Sequence, residues 1–431
     1  MTRVYVTGVG VVSSLGFGRE EYWRNVVLGH SGFSSIAGFD TSAFERSVAG
    51  EVRGFTARDF LTAAEARRTG RCSAFALAAA RQAVQDSGIT RELLQGERTS
   101  VIMGTTMGEA DVVGELEQAW VMRGADGVSP NMLPRCGSSL LPIHIARAFG
   151  ARGMVQTLPA ACAAGNYSIA FAADLIRSGR ADVVICGASE LLQKIQFAGF
   201  VRLGAVAPER CQPFDKNRRG LIIGEGAGVL MLESEAHAVR RDATALAEIG
   251  GSGLACDAHH ITRPHPEGMG SLNAMREAIA RSGVTPDEVD FVNAHGTGTT
   301  ANDKVESRVI HDVFNGRPVP VSSMKGMLGH CMGAASALEA VACVMTVQTG
   351  IYPPTVSYET PDPECNVNLV ANRAQRGRAD IVLNNSLAFG GYDAVVAFAK
   401  PGRLPDPSAA SLSYEVARGA RRLATAHDAA L

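Results

Sequence analysis

The sequence is poor in charge and in aromatic side chains. Charged residues make up 19% of the 431 residues, below the usual share of about a quarter, and aromatic residues make up 6%. The formal net charge is only -2, so the chain has no overall attraction to nucleic acid or to anionic membranes. Hydrophobic residues make up 46%, which excludes disorder for most of the chain, because disordered segments combine low hydrophobicity with high net charge.

Several patterns that define common protein classes are absent. The nine cysteines are odd in number and include no CxxC spacing, which argues against disulfides and structural zinc. No run of about 18 apolar residues predicts a transmembrane helix, and MTRVYVTGVGVVSSLG is too short and too rich in glycine for a signal peptide. We therefore expect a cytoplasmic protein with reduced thiols and with neither nucleic acid nor membrane as a partner.

Familiar catalytic and cofactor motifs are also missing. The sequence has no GxSxG, no HExxH and no Walker A motif. The glycines of TGVGVVSSLG at 7–16 follow a strand, but they lack the GxGxxG spacing of a dinucleotide site. We predict no bound metal and no organic cofactor.

What the sequence does contain is an alternation of buried strands and apolar helices, which indicates an α/β fold. The helices at 168–178 and 336–349 are apolar nearly all round, so we expect them to form a middle layer between two sheets. The halves at 1–250 and 251–401 have similar patterns, and the tail at 402–431 is either disordered or a short helix. We expect strands at 3–8, 101–108, 181–190, 224–233, 289–296 and 393–400, and helices at 74–87, 168–178 and 336–350.

Cys162 is a candidate nucleophile. It lies in LPAACAAGNYSIA, where an extended segment meets a long helix. Free amide groups and the helix dipole at such a position favour a thiolate, the nucleophilic form of cysteine. A single cysteine among nine is more often a core residue, so this position alone does not establish a catalytic role.

His295 and His330 lie at comparable junctions. His295 follows a strand in VNAHGTGTT, and His330 precedes the apolar helix in SSMKGMLGHCMG. A histidine at a helix N-terminus is held toward its neutral form and can donate one N–H to a carbonyl or enolate oxygen. Lys325 and Glu339 are candidates for a structural ion pair. Together the cysteine and the two histidines suit carbon–carbon bond formation by an acyl thioester.

Six motifs resemble those of the β-ketoacyl-acyl-carrier-protein synthases, the elongating condensing enzymes of fatty-acid and type II polyketide systems. They occur in the family's order and cover about residues 3–400. The resemblance implies a thiolase fold, in which two similar α/β halves form a five-layer α-β-α-β-α sandwich. The motifs are VTGVGVVSSLG, ACAAG, PFDKNRRGLIIGEGAGVLMLE, VNAHGTGTTANDKVE, SSMKGMLGHCMGAASALEA and NNSLAFGG.

The resemblance also implies roles for individual residues. Cys162 would be acylated, His295 and His330 would stabilise an enolate, and Lys325 would orient the site while paired with Glu339. The amides of Cys162 and Phe389 would form the oxyanion hole. The remaining matches are Gly390 and Gly391 in the gate loop beside Phe389, Thr297, Thr299 and Thr262 along the phosphopantetheine channel, Met107 in the acyl pocket, and Arg67, Arg68 and Arg71 as a basic patch for the acidic acyl carrier protein.

The departures from the family pattern concern the substrate. Arg219 stands where the family commonly has aspartate, and Arg263 replaces a small residue near the expected channel. Ala388 replaces the usual glycine before Phe389. Tyr392 replaces a small polar residue, and an aromatic residue at this position resembles the pattern of type II polyketide synthases. We therefore predict decarboxylative condensation with malonyl-carrier protein in polyketide or polyene biosynthesis.

Three alternatives differ in substrate or class. They are housekeeping fatty-acid elongation, a non-catalytic chain-length subunit, and a thiolase or initiating synthase. Cys162 argues against the chain-length subunit, and the two histidines argue against the last alternative. The resemblance implies that the enzyme is a homodimer or a heterodimer with a chain-length-factor-like subunit.

Overall fold

A computed structural model describes residues 2–406 of the chain. The predicted strands and central helices are present, with bounds that differ by a few residues; the first strand, for example, runs from Val4 to Ser13. The strands are β1 (Val4–Ser13), β2 (Gly16–Phe17), β3 (Ser34–Ser35), β4 (Val48–Ala49), β5 (Thr99–Gly104), β6 (Val155–Leu158), β7 (Val183–Glu190), β8 (Gly226–Ser234), β9 (Ala247–Cys256), β10 (Phe291–Asn293), β11 (Pro320–Ser322), β12 (Ile351–Tyr352), β13 (Asn368–Leu369), β14 (Gln375–Arg376), β15 (Ile381–Leu387) and β16 (Tyr392–Ala399).

The α-helices lie mainly between these strands. The long ones carry apolar residues at helical spacing, and many end at a glycine that adopts the left-handed conformation, as Gly88 and Gly350 do. The helices are α1 (Arg19–Val27), α2 (Ala57–Phe60), α3 (Ala63–Arg68), α4 (Arg71–Ser87), α5 (Arg91–Leu94), α6 (Ala110–Arg123), α7 (Leu140–Phe149), α8 (Ala164–Arg177), α9 (Lys194–Arg202), α10 (Glu235–Arg240), α11 (Met269–Arg281), α12 (Thr300–Val313), α13 (Lys325–Leu328) and α14 (Ala335–Thr349).

The two halves share one strand order. The first half runs β6-β5-β7-β8-β1 and the second runs β11-β10-β15-β16-β9. Counting only these five strands in chain order, the fifth strand of each half pairs antiparallel with the first and the fourth: β8 pairs with β1 and β7, and β16 pairs with β9 and β15. The remaining pairs are parallel. The halves join where β1 pairs antiparallel with β9, at Tyr5 and Glu248. Residue 250 lies inside β9, so this strand belongs as a whole to the second half.

The helices α8 and α14 form the predicted middle layer. They pack against each other, and each contacts strands of both halves, while α4 and α11 cover the outer faces. Close approach of the two central helices requires Gly165, because a Cβ there would lie 2.4 Å from the backbone nitrogen of Ala337. The result is the α/β sandwich expected from the sequence.

One segment of the described residues has the length and apolar character of a membrane span. Within residues 2–406, the segment Met332–Thr349 is long and apolar enough to cross a membrane, and 89% of it is buried inside the protein. Burial between the two halves of the main sheet accounts for the apolar character of this segment. Residues 407–431, which make up most of the predicted tail, lie outside the described residues.

Candidate active site

The backbone around Cys162 turns sharply. The strand β6 ends at Leu158, Ala161 adopts a left-handed φ of 46°, and Cys162 lies in a 3₁₀ turn directly before α8. A left-handed φ is costly for alanine, so the surrounding structure must hold this turn in place. The hydroxyl groups of Ser386 and Ser336 donate to the carbonyl oxygen of Cys162 at 3.1 and 3.3 Å.

The electrostatics at Cys162 correct the expectation of a stabilised thiolate. Burial raises the pKa of the Cys162 thiol to about 11, although the Lys325 ammonium and the Phe389 amide oppose this shift. Desolvation of a charged thiolate outweighs these favourable contacts. The Phe389 amide and the amide of Cys162 itself both contact the sulfur, which is the position expected for an oxyanion hole.

His295 and His330 lie together beside this cysteine. Their ring centroids are 5.3 Å apart with planes at 84°, and both side chains line the same cavity as Cys162. Burial and the Lys325 charge lower the pKa of both imidazoles well below the usual value, so both are neutral. The Met332 amide donates to His330 Nδ1 at 3.1 Å, so the ring hydrogen of neutral His330 is on Nε2.

Lys325 lies behind the three residues and is buried. Its Nζ lies 2.5 Å from Glu339 Oε1, so the predicted ion pair is present. The same ammonium helps to lower the pKa of His295 and His330 and opposes the rise that burial causes in the pKa of Cys162. A buried charge requires such a partner.

The turn that carries His295 is fixed by Glu306, to which the sequence analysis assigned no role. The carboxylate of Glu306 accepts the amides of His295 and Gly296 at 2.6 and 2.7 Å and the Asn385 side chain at 2.6 Å. Burial raises the pKa of Glu306 to about 7. Glu306 therefore positions the backbone of His295 without lying on the cavity wall.

A cavity of about 420 Å³ connects these groups to the surface. Thr297 and Thr299 line it with their hydroxyl oxygens 2.9 Å apart, and Thr262 lines it as well. Phe389 also lines the cavity and stacks on Phe200, with ring centroids 5.5 Å apart. These predicted residues therefore line the same cavity as the cysteine and the histidines.

Gly390 and Gly391 follow Phe389 and are needed for the shape of its loop. Their φ angles are 85° and 77°, a region that disfavours other residues. The Gly390 amide donates to the carbonyl of Ile261 at 2.7 Å, and the Asp257 amide donates to the carbonyl of Gly391 at 2.9 Å. The loop that carries Phe389 is thereby attached to the segment at 257–264.

Other predicted residues lie elsewhere. Met107 does not line this cavity; its amide donates to Glu190 at 3.2 Å. The patch residues Arg67 and Arg68 are exposed on α3 and also do not line the cavity. Arg71 is not a free surface cation, because it pairs with buried Glu225 at 3.3 Å. All three arginines are exposed, and their role as a carrier-protein patch remains a prediction.

The first three residues of NNSLAFGG, for which the sequence predicted no role, are fully buried on β15. Each one holds a different part of the site. Asn384 donates to Asn166 on α8 and to the carbonyl of Ser336 on α14, both at 2.8 Å, while Asn385 holds the glutamate behind His295 and Ser386 holds the carbonyl of the cysteine. Three consecutive polar residues in a fully buried strand are the signal, since buried polar groups need partners.

Comparisons with known proteins agree with this geometry. The family model "Beta-ketoacyl synthase, N-terminal domain" matches residues 1–238, and the model for the C-terminal domain matches residues 246–359. A curated relative, 3-oxoacyl-acyl-carrier-protein synthase 2 of Synechocystis sp., is 36% identical over 407 residues, which cover 92% of this chain and 98% of that protein. The chain therefore belongs to the β-ketoacyl synthase family, and it is a ketosynthase enzyme.

Two solved structures are similar over the whole fold. The ishigamide ketosynthase/chain length factor has 41% identity and a TM-score of 0.90, covering 93% of this chain and 100% of that one. AntDE:AntF, a type II polyketide acyl-carrier protein in complex with its ketosynthase, has 30% identity and a TM-score of 0.85, covering 93% and 99%. These neighbours are ketosynthases of the thiolase fold, in line with the expected fold class.

Proposed function

We propose that this ketosynthase condenses a carrier-bound acyl chain with malonyl-carrier protein. In the first step the Cys162 sulfur attacks the acyl thioester, and its proton passes to the departing thiolate of the carrier arm. The raised pKa of Cys162 supports this order, because the buried thiol gives up its proton only as the new bond forms. The amides of Cys162 and Phe389 would stabilise the tetrahedral oxyanion.

In the second step the malonyl group on the carrier's phosphopantetheine arm enters the same cavity and loses carbon dioxide. The electron pair of the broken bond forms an enolate, whose oxygen would accept hydrogen bonds from His295 and His330. The observation that carries this proposal is the pair of neutral, adjacent imidazoles beside a buried cysteine. The enolate carbon then attacks the acyl-cysteine, and the Cys162 thiolate leaves and is reprotonated. We propose no metal or organic cofactor, since the carrier supplies the phosphopantetheine arm.

We further propose a place in a type II polyketide or polyene pathway rather than in housekeeping fatty-acid elongation. The likeness to the ishigamide and AntDE ketosynthases supports this choice. Fatty-acid elongation is the second candidate, because the Synechocystis relative is a 3-oxoacyl synthase of similar identity. All nine cysteines lie in the described residues and are free, which supports the cytoplasm as the compartment.

We propose that the enzyme is a dimer, formed with a second copy or with a chain-length-factor-like subunit. Two of the similar structures are named as ketosynthases with their chain length factor. The strand β6 lies at an edge of the main sheet, and several large apolar side chains are exposed on and near α6. These side chains are Trp120, Val121, Met122 and Leu133.

A condensation assay tests the function. The enzyme is mixed with octanoyl- and malonyl-carrier proteins, prepared either with a polyketide carrier or with a fatty-acid carrier. The mass of the carrier-bound product is then measured by mass spectrometry. We expect a 3-oxodecanoyl product and faster turnover with the polyketide carrier. Equal or faster turnover with the fatty-acid carrier would favour the second candidate. No product with either carrier, with and without a chain-length-factor subunit, would refute the proposed reaction.

A further inference from the structure

Two arginines lie on the wall of the cavity that contains Cys162. Arg219 and Arg263 both line this cavity, and both are exposed to solvent. They come from two separate loops, and the sequence analysis noted both as departures from the family pattern. Their position raises the question of what the two cations bind.

The backbone fixes where each arginine lies. The residue after Arg219, Gly220, donates its amide to the carbonyl of Gly298 at 2.9 Å. Gly298 lies in the turn between Thr297 and Thr299, so Arg219 is attached to the threonine side of the cavity. Arg263 lies two residues after Ile261, the residue that binds the Phe389 loop, and so is attached to the opposite, gate side.

Neither arginine forms an ion pair with an acidic residue of the cavity wall. Asp257 uses its two carboxylate oxygens for the amides of His265 and Gly270, at 2.8 and 3.1 Å. Asp393 is buried, and burial raises its pKa to about 8, so it carries little negative charge at neutral pH. Within residues 2–406 no ion pair involves either arginine. Two unpaired guanidinium groups therefore face one carboxylate, that of Asp257, on the cavity wall.

We propose that Arg219 and Arg263 bind the phosphodiester group of the carrier's phosphopantetheine arm. This inference rests on the proposed function, because it assumes that the arm enters through this cavity with its thiol end at Cys162. A planar guanidinium binds phosphate oxygens in a bidentate manner, which an ammonium cannot do.

Small thioesters separate the phosphate from the rest of the carrier. Octanoyl-phosphopantetheine and octanoyl-pantetheine differ only in the phosphate, and transfer of the octanoyl group to Cys162 is followed by intact-protein mass. For the double variant Arg219→Ala/Arg263→Ala we expect the KM of the phosphorylated thioester to rise about tenfold, as for the loss of charge-assisted hydrogen bonds. The KM of octanoyl-pantetheine and both kcat values should stay unchanged.

Two further variants sharpen the result. The variant Arg219→Lys/Arg263→Lys keeps the charges without the planar geometry and should recover part of the lost affinity. Arg240→Ala removes an exposed arginine at the end of α10, which does not line the cavity. It should leave the KM of both thioesters unchanged.

Each outcome separates the inference from the function beneath it. Equal KM values for both thioesters in the unmodified enzyme, or an equal change for both in the double variant, would overturn the phosphate site while leaving acyl transfer intact. Absence of acylation from either thioester and from octanoyl-carrier protein would overturn the phosphate site and the proposed function together.

Discussion

The two halves of the enzyme build the same turn and use it differently. In each half the third strand leads to a residue with a left-handed φ three positions before the central helix, Ala161 at 46° and Met332 at 45°. The next residue is Cys162 in the first half and Gly333 in the second. The backbone turn is therefore present in both halves, whereas the cysteine that we propose as the nucleophile is present in one half only.

A second likeness concerns buried carboxylates. The turn after the second strand of each half presents two consecutive amides to a glutamate: Thr106 and Met107 to Glu190, and His295 and Gly296 to Glu306. Burial raises the pKa of both glutamates to about 7. Glu190 ends a strand, whereas Glu306 lies on a helix. Equivalent turns are thus stabilised from different elements, which shows that the turn geometry is more tightly constrained than the residue that holds it.

The largest expected effect comes from the histidine that only the second half provides. In His330→Ala, we expect Cys162 to be acylated still, while carbon dioxide release from malonyl-carrier protein falls on the order of a hundredfold to a thousandfold, because one enolate donor is lost. Labelled carbon dioxide measures this rate. The buried His237, which pairs with Glu233 outside the cavity, gives the control His237→Gln with retained release. Normal release in His330→Ala would contradict the assigned role.

The next effect tests whether the turn of the second half tolerates a side chain at Gly333, the position that corresponds to Cys162. In Gly333→Ala, the new Cβ would lie 2.6 Å from the Thr106 nitrogen and 2.7 Å from Glu190 Oε2. We expect the free energy of unfolding to fall by about 2–3 kcal/mol, because the buried carboxylate would lose amide partners. Denaturant titration measures it. Gly114→Ala on α6 meets nothing within 4 Å and should be stabilising. Equal stabilities of the two variants would refute the comparison.

A further effect concerns the strands β8 and β16, which hold corresponding places in the two halves. The second residue is Ala227 in β8 and Asp393 in β16. Burial raises the pKa of Asp393 from 3.8 to about 8, so between these values the folded chain holds a proton that the unfolded chain releases. Stability is therefore lost as the pH rises through this window.

Replacing Asp393 with Asn removes this titration. We expect Asp393→Asn to stabilise the enzyme more at pH 8 than at pH 5, relative to the unmodified enzyme, as measured by urea unfolding at both pH values. Asp126 is exposed, and the control Asp126→Asn should change the stability by the same amount at pH 8 as at pH 5. A gain at pH 8 no larger than at pH 5 would show that Asp393 is ionised in the folded enzyme.

The fold and the central site were predictable because their signals are local. Apolar helices at 168–178 and 336–349 predicted the middle layer, and the junctions at Cys162, His295 and His330 predicted a shared site. Their roles in catalysis remain predictions. The thiolate expectation was wrong in direction, because the helix N-terminus is visible in the sequence while burial is not.

Long-range partners could not be predicted. The carboxylates of Glu190 and Glu306 bind backbone amides, which every sequence contains, so no pattern marks them. Arg71 could not be separated from Arg67 and Arg68, because its partner Glu225 is 154 residues away. Met107 matches a family motif, but its distance from the cavity depends on how the loop folds.

The central claim is that Cys162 is the one acyl acceptor of a duplicated fold. Intact-protein mass after mixing the enzyme with octanoyl-carrier protein tests it most directly. We predict a gain of one octanoyl group in the unmodified enzyme and none in Cys162→Ala, with the variant still folded. A gain of the same mass in Cys162→Ala would contradict the account.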